Sequence, residues 1–411
     1  MTELTMIDRL LPPRELHRKP EPDTAATGPL QIAAQIAAQL AKTAVERDRA
    51  GGHPAAERSL LRNSGLLWLA IPREYGGQGE RWLTIYRAVR TLAEADSALA
   101  HLFAFHHLQI LTVLLYGSSE QQARLLGSTV AERRFWGNAL NPLDKRTRAQ
   151  RLASGWQIDG LKSFSSGSVG SDMLSFSAWD EASQSALIGV LPTLRKGITV
   201  QADWDAFGQR QTDSGTVSFE QVALPPEDVL QAPGAPTSPR QTLRACAAQL
   251  VLANLYVGIA QGAFAEARRY TLESARPWFA AGVARPADDP YIQKRYGELW
   301  LKIRPAALLA DEAARLLDAA LAKGEALTAA ERGEVAITVA EAKALAHEAS
   351  LSVSTELFDL AGARATSQRY GLDRFWRNAR THTLHDPIDY KLRDIGRWAL
   401  EGQHPEPTPY S

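Results

Sequence analysis

Two long stretches of this chain repeat apolar residues at helical spacing, and a shorter stretch between them alternates apolar and polar positions. From Gln31 to Arg49, Ile32, Ile36, Leu40 and Val45 fall on one side of a helix, and Gly51-Gly52 supplies its stop. Helical periodicity continues to about residue 128, broken by the turn-rich PREYGGQG at Pro72–Gly79. Residues 133–230 have a different texture, rich in Ser, Thr and Gly. Short runs there, WQIDG from Trp156, MLSFSAW from Met173, ALIGVL from Ala186 and TVSFEQV from Thr216, read as strands. QAPGAPTSP, Gln231–Pro239, reads as a linker, and long Ala/Leu-rich helices follow from Arg240. The pattern predicts a mainly α chain with a central β-domain: an irregular arm over 1–28, a helical domain over 29–130, the β-domain over 131–237 and a helical bundle over 238–411.

Charge narrows the partners. Lys+Arg and Asp+Glu both number 46 in 411 residues, which gives no support for nucleic-acid or anionic-membrane binding. Residues 245–265 carry no charge over a membrane-spanning length, but Gln249, Asn254 and Gln261 interrupt them, so a buried central helix is expected. The single cysteine, Cys246, lies in that apolar run and reads as a buried thiol; it excludes an internal disulfide framework. The first thirty residues contain Pro12, Pro13, Pro20 and Pro22 and no apolar signal core, which predicts a cytoplasmic protein. No G-x-G-x-x-G is present, so a Rossmann nicotinamide site has no support.

Titratable chemistry concentrates in RNARTHTLHDP, Arg377–Pro387. His382 and His385 are three apart and would share a helical face, with Asn378 one turn earlier. Such a pair suits proton donation near neutral pH; a satisfied interior pair is the bland alternative, and a metal site lacks a third ligand at a convincing spacing. Asp386-Pro387 reads as N-cap and first residue of a last helix, with Asp389 at the third position. His106 and His107 stay unassigned, as surface or core histidines.

AIPREYGGQG (Ala70–Gly79), GLKSFSSG (Gly160–Gly167) and GQRQTDSGTVSFEQVALP (Gly208–Pro225), in this α–β–α order, resemble the acyl-CoA dehydrogenase superfamily from about residue 30 to 400. HLFAFHH from His101, WGN from Trp136, RPW from Arg276 and RNARTHTLHDP resemble its branch of FMNH2-dependent monooxygenases typified by dibenzothiophene monooxygenase. The resemblance implies an N-terminal helical domain, a middle β-barrel-like domain and a C-terminal four-helix bundle, usually in a homotetramer. It implies reduced FMN from a separate NAD(P)H:flavin reductase, O2 activated at flavin C4a, and oxygen transfer to a small apolar, organosulfur substrate.

It also implies roles. His382, His385 and His101 would be catalytic. Ser166 would face flavin N5, Phe164 would lie beside the ring, and Asn138 would be an amide on the flavin or substrate side. Arg364 stands in AGAR where the dehydrogenases carry a glycine, which favours the FMN phosphate over the adenosine half of FAD, with Arg276 as a second arm. Phe103, Phe105, Trp136 and Trp204 suit a flat apolar ligand, or the core. Three alternatives stand beside this. One is an FAD-dependent acyl-CoA dehydrogenase with Asp386 as base, one methylene shorter than that family's glutamate. Another is a nitrogen- or carbon-oxygenating member of the fold, and the last is a scaffold that has lost the flavin.

Overall fold

A computed structural model describes residues 28–411, so all of the expected arm but Gly28 lies outside it. Helices come first: α1 (Pro29–Ala41), α2 (Ala44–Ala50), α3 (Ala55–Asn63), α4 (Trp82–Ala95), α5 (Ser97–Tyr116) and α6 (Ser119–Ala131). Strands follow: β1 (Trp136–Ala139), β2 (Arg148–Leu152), β3 (Gly155–Lys162), β4 (Met173–Asp180), β5 (Ser185–Pro192), β6 (Ile198–Val200), β7 (Val217–Leu224) and β8 (Val229–Gln231). The chain ends in α7 (Pro239–Glu273), α8 (Pro290–Ala322), α9 (Ala329–Ala361), α10 (Asp373–Thr383) and α11 (Ile388–Glu401). The protein is thus mainly α with a central sheet, in the α–β–α order expected from the sequence.

Local chemistry sets the helix starts. Asp96 caps α5 by accepting from the Ala98 and Leu99 amides at 3.0 and 3.1 Å. Ser238 caps α7 in a reciprocal pair with Gln241, followed by Pro239 at the first helical position. The expected helix 31–49 is instead two helices with a break at Lys42-Thr43. The break lets buried Arg47 bond the Leu40 carbonyl (3.0 Å), Asp96 (2.5 Å) and Gln211 (2.9 Å), tying α2 to α5 and to the β-domain.

The sheet runs β6-β7-β3-β2-β4-β5-β8, with β1 parallel to β4 and β6 and β8 as edges. Its own core includes Trp156, Ile158, Phe176, Phe219 and Leu224. A second, larger core draws on both helical segments, from Ala33 in α1 to Ala379 in α10. At its centre α7 packs against α4, α5, α8 and α9. α5 and α7 are long and apolar enough to cross a membrane, yet 89% of that apolar window is inside the fold in each. Being apolar all round marks the centre of a helical core, as expected of residues 245–265, and Cys246 is buried there.

Candidate active site

A cavity of about 500 Å³ opens where the sheet meets the helices. Asn138, Ser163 and Phe164 form its β wall; Phe105 and Leu108 of α5 and Gln249 and Leu252 of α7 form its helical wall. His385 and the segment 407–410 complete it.

The β wall depends on the loop after β3. Phe164 adopts φ +56°, a costly backbone state for an aromatic residue, and its side chain is 71% exposed. Trp204 meets it edge-on at 5.9 Å, steadied by an indole hydrogen bond to the Gln209 carbonyl at 2.8 Å. Ser166 is buried, its hydroxyl within 2.9 Å of that of Ser214, which pairs in turn with Thr212 at 2.8 Å. The Asn138 amide donates to the Ser166 carbonyl at 2.9 Å, so β1 and this loop are locked together. Below it, Arg58 and His53 both bond Asp213, at 2.9 and 2.8 Å. Gly208 sets the segment between β6 and β7 against α10: a Cβ there would stand 2.1 Å from the Arg377 carbonyl oxygen.

On the helical side three rings come together. His101 stacks on Phe105 at 4.0 Å and meets His382 edge-on at 4.8 Å. Tyr256 of α7 donates to the His382 carbonyl at 2.8 Å and so fixes the end of α10. Burial, then the neighbouring imidazoles of His382 and His385, hold His101 well below the usual histidine range. Burial, then His385 and Lys343, push His382 down to about 3. Both rings are therefore neutral at physiological pH. Neither nitrogen of His101 and not Nδ1 of His382 has a hydrogen-bond partner among the described residues. Orphaned buried polar atoms of this kind are costly unless a ligand meets them.

His382 and His385 do not share a helical face, because α10 ends at Thr383 and His385 lies in the turn beyond. His382 is buried and His385 is exposed on the cavity. Nor does Asp386 cap α11, which begins at Ile388 with no side-chain cap. Asp386 instead accepts from His385 Nδ1 at 2.9 Å and from Lys343 Nζ at 2.5 Å. Lys343, with its side chain 1% exposed, also donates to Gln249 Oε1 at 2.5 Å. Burial raises the Asp386 carboxyl, but the His385 hydrogen bond and the Lys343 charge outweigh it and hold the acid well below the carboxylate range. Burial lowers Lys343 to about 8 against the pull of Asp386. Asp386 thus accepts the His385 Nδ1 proton and leaves Nε2 free toward the cavity.

Other sequence candidates lie elsewhere. Phe103 and Trp136 sit in the packed helical core, 0% and 1% exposed, and line no part of the cavity. Phe103 is two residues from both His101 and Phe105, about 200° round the helix from either, and meets His107 instead. Trp136 spends its indole N–H on Thr129 at 2.9 Å. His106 and His107 bond the Leu67 and Leu66 carbonyls, at 2.8 and 3.0 Å. Arg276 and Arg364 are exposed, outside the cavity, and without a side-chain partner among the described residues. Lys343, Gln249, Tyr256 and Tyr410 were missed. The signals were polar interruptions in apolar helices: Gln249 in the uncharged run, Lys343 amid alanines. Among the described residues no three ligand-type side chains group to hold a metal ion.

Comparison with known proteins places the chain in a family. The acyl-CoA dehydrogenase N-terminal domain matches residues 31–133, and its C-terminal domain residues 250–390. The probable FMNH2-dependent monooxygenase SfnC of Pseudomonas putida is 48% identical, over 93% of this chain and 97% of its own. Methanesulfinate monooxygenase MsuC from Pseudomonas fluorescens superposes with a TM-score of 0.92 at 48% identity, covering 94% of this chain and all of its own. FMN-bound TdsC from Paenibacillus sp. A11-2, a dibenzothiophene monooxygenase, gives 0.90 at 40% identity, over 93% of this chain and all of its own. The chain belongs to the acyl-CoA dehydrogenase superfamily and, within it, to the flavin-dependent monooxygenases that include dibenzothiophene monooxygenase.

Proposed function

We propose that this protein oxygenates the sulfur of a small organosulfur compound with reduced FMN and O2. The observation that carries the reading is the pair His101 and His382, buried, neutral and with three orphaned ring nitrogens behind the cavity wall. A flavin and a substrate would give those atoms partners. Bound reduced FMN supplies the two electrons that activate O2 there. Phe164, exposed and held at positive φ, suits one side of the flavin ring, with Ser166 and Asn138 behind it. Arg276 and Arg364, free of acidic partners among the described residues, suit a phosphate. His385 donates its Nδ1–H to Asp386 and has Nε2 available for a hydrogen bond to a ligand; Phe105 and Trp204 border the substrate. The dehydrogenase alternative fares badly, because Asp386 is spent on Lys343 and His385 and is a weak base.

The same reading takes the chain as three domains, 29–130, 131–237 and 238–411, in a cytoplasmic homotetramer served by a separate NAD(P)H:flavin reductase. Trp278, Phe279, Tyr291 and Leu301, each at least 70% exposed, suit an interface between copies. Equilibrium binding of FMN and FAD, oxidised and dithionite-reduced, tests the cofactor. Reduced FMN is expected to bind best, and Arg364→Gly to weaken it by about tenfold or more, as loss of a charge-assisted pair does. Tight FAD binding indifferent to Arg364 would return the protein to the dehydrogenases.

A further inference from the structure

Three consecutive residues of α9 form a seat for the segment 403–411. Gly333 is buried inside the helix, where glycine is a poor helix former, and a Cβ there would collide with the His404 ring. His404 Nε2 bonds the Glu334 carboxylate at 2.8 Å. Arg332 is buried with no acidic partner among the described residues; it donates to Thr242 and to the main-chain oxygen of Ser411. From α11, buried Lys391 donates to the Tyr410 carbonyl, its one hydrogen bond among the described residues. The segment is also bonded to itself. The Ser411 hydroxyl donates to the Glu406 carbonyl at 2.8 Å and pairs with the Thr408 hydroxyl at 2.7 Å. Pro405, Pro407 and Pro409 fix three of its φ angles. Two buried cations would lose main-chain partners if the segment left, which is costly, so it stands as a fixed wall.

That wall stands between two cavities. One is the active-site cavity described above. The other, of about 550 Å³, lies between α11 and the segment, with Tyr390, Arg393, Arg397 and Glu406 in its lining. Only His385, Thr408 and Tyr410 line both. Asp386 holds His385 in place, and the Tyr410 ring meets that imidazole edge-on at 5.6 Å. Thr408 is small and its hydroxyl is spent within the segment, on Ser411 and on the Tyr410 amide. The Tyr410 ring is therefore the bulk of the partition on the segment's side. We infer that Tyr410 is a specificity-determining residue of the proposed oxygenation: its ring closes the α11 side of the active-site cavity and limits the size of substrate that the cavity takes. This deepens the sulfur-oxygenating reading and rests on it. Without the ring the two cavities join, and a bulky substrate gains room toward α11. Lys391 is the positioning residue, acting through the Tyr410 carbonyl.

The test compares wild type, Tyr410→Phe, Tyr410→Ala and Lys391→Met. Calorimetric binding of methyl phenyl sulfide and of dibenzothiophene, each in the presence of oxidised FMN, comes first. Product analysis with FMN, a flavin reductase and O2 follows. Tyr410→Ala should raise the affinity for dibenzothiophene relative to methyl phenyl sulfide by about tenfold or more, the discrimination that a small change of shape gives in an apolar pocket. Tyr410→Phe keeps the ring and should keep the wild-type ratio. Lys391→Met should move the ratio in the same direction as Tyr410→Ala with the tyrosine still present. A merely structural role would weaken both sulfides alike and leave the ratio where it was. Should Lys391→Met fail to fold, the two Tyr410 variants decide alone. An unchanged ratio in Tyr410→Ala, or an equal shift in Tyr410→Phe, would overturn the partition while sparing the sulfur-oxygenating reading. So would a wild type and a Tyr410→Ala variant that bind neither sulfide. A ratio that shifts as expected, with no oxygenated sulfur product from any of the four proteins, would do the reverse.

Discussion

At the scale of single residues, the site is built on charges and rings kept out of water. Lys343 and Asp386 depend on each other, since either alone is a buried or nearly buried ion. Asp386→Asn should destabilise the fold by about 3–5 kcal/mol at pH 7, with Lys343→Met similar. The double variant should recover much of the loss, a coupling that urea melts of the four proteins would read. His382 makes the opposite demand, because the fold keeps it neutral. Its folded pKa, about 3, lies below the unfolded value, so an unfolded chain binds a proton from pH 6.5 down that the folded chain refuses. Stability is full above pH 6.5 and falls by up to about 1.4 kcal/mol per pH unit toward pH 3. His382→Phe should flatten part of that slope between pH 7 and 5; an unchanged slope would mean that His382 takes its proton inside the fold. The sequence held His101, His382 and His385 in plain sight. It did not hold the break after Thr383 that turns His385 outward onto Asp386, because Asp-Pro has a local cap reading that only the distant Lys343 overrides.

At the scale of elements, alternation along the strands and the polar stop at Gln231–Pro239 were legible because each is a local signal. The split between α1 and α2 was not, because its cause is tertiary: Arg47 reaches Asp96 and Gln211 from that turn. Phe103 and Trp136 were misplaced for a similar reason, since composition does not say which side of α5 or β1 faces the cavity. Gly208 is where two elements come closest. Gly208→Ala would drive a methyl into the Arg377 carbonyl and Thr381, so α10 and the β6–β7 segment must part. We expect a loss of about 1–3 kcal/mol in thermal unfolding, together with weaker FMN binding. Full stability in that variant would show that the loop has slack.

At the scale of the whole molecule, the helices before the sheet and those after it close one core. No periodicity in the sequence reports this, because the partners are far apart along the chain. A fragment of residues 28–237 would keep the sheet's own core but leave α4 and α5 without α7. It should bind a hydrophobic dye and show no sharp near-ultraviolet transition; a monomeric, cooperatively melting fragment would mean that α5 finds another cover. The shared core also bears on the chain's birth. Translation delivers about 5–20 residues per second, and residues 117–238, 122 in all, separate the end of α5 from the start of α7. For about 6–25 s on each ribosome, one of the most apolar helices in the protein waits for its partner to be made. Shielding of nascent chains during that wait therefore matters to how the protein reaches its fold, alongside the stability of the finished structure.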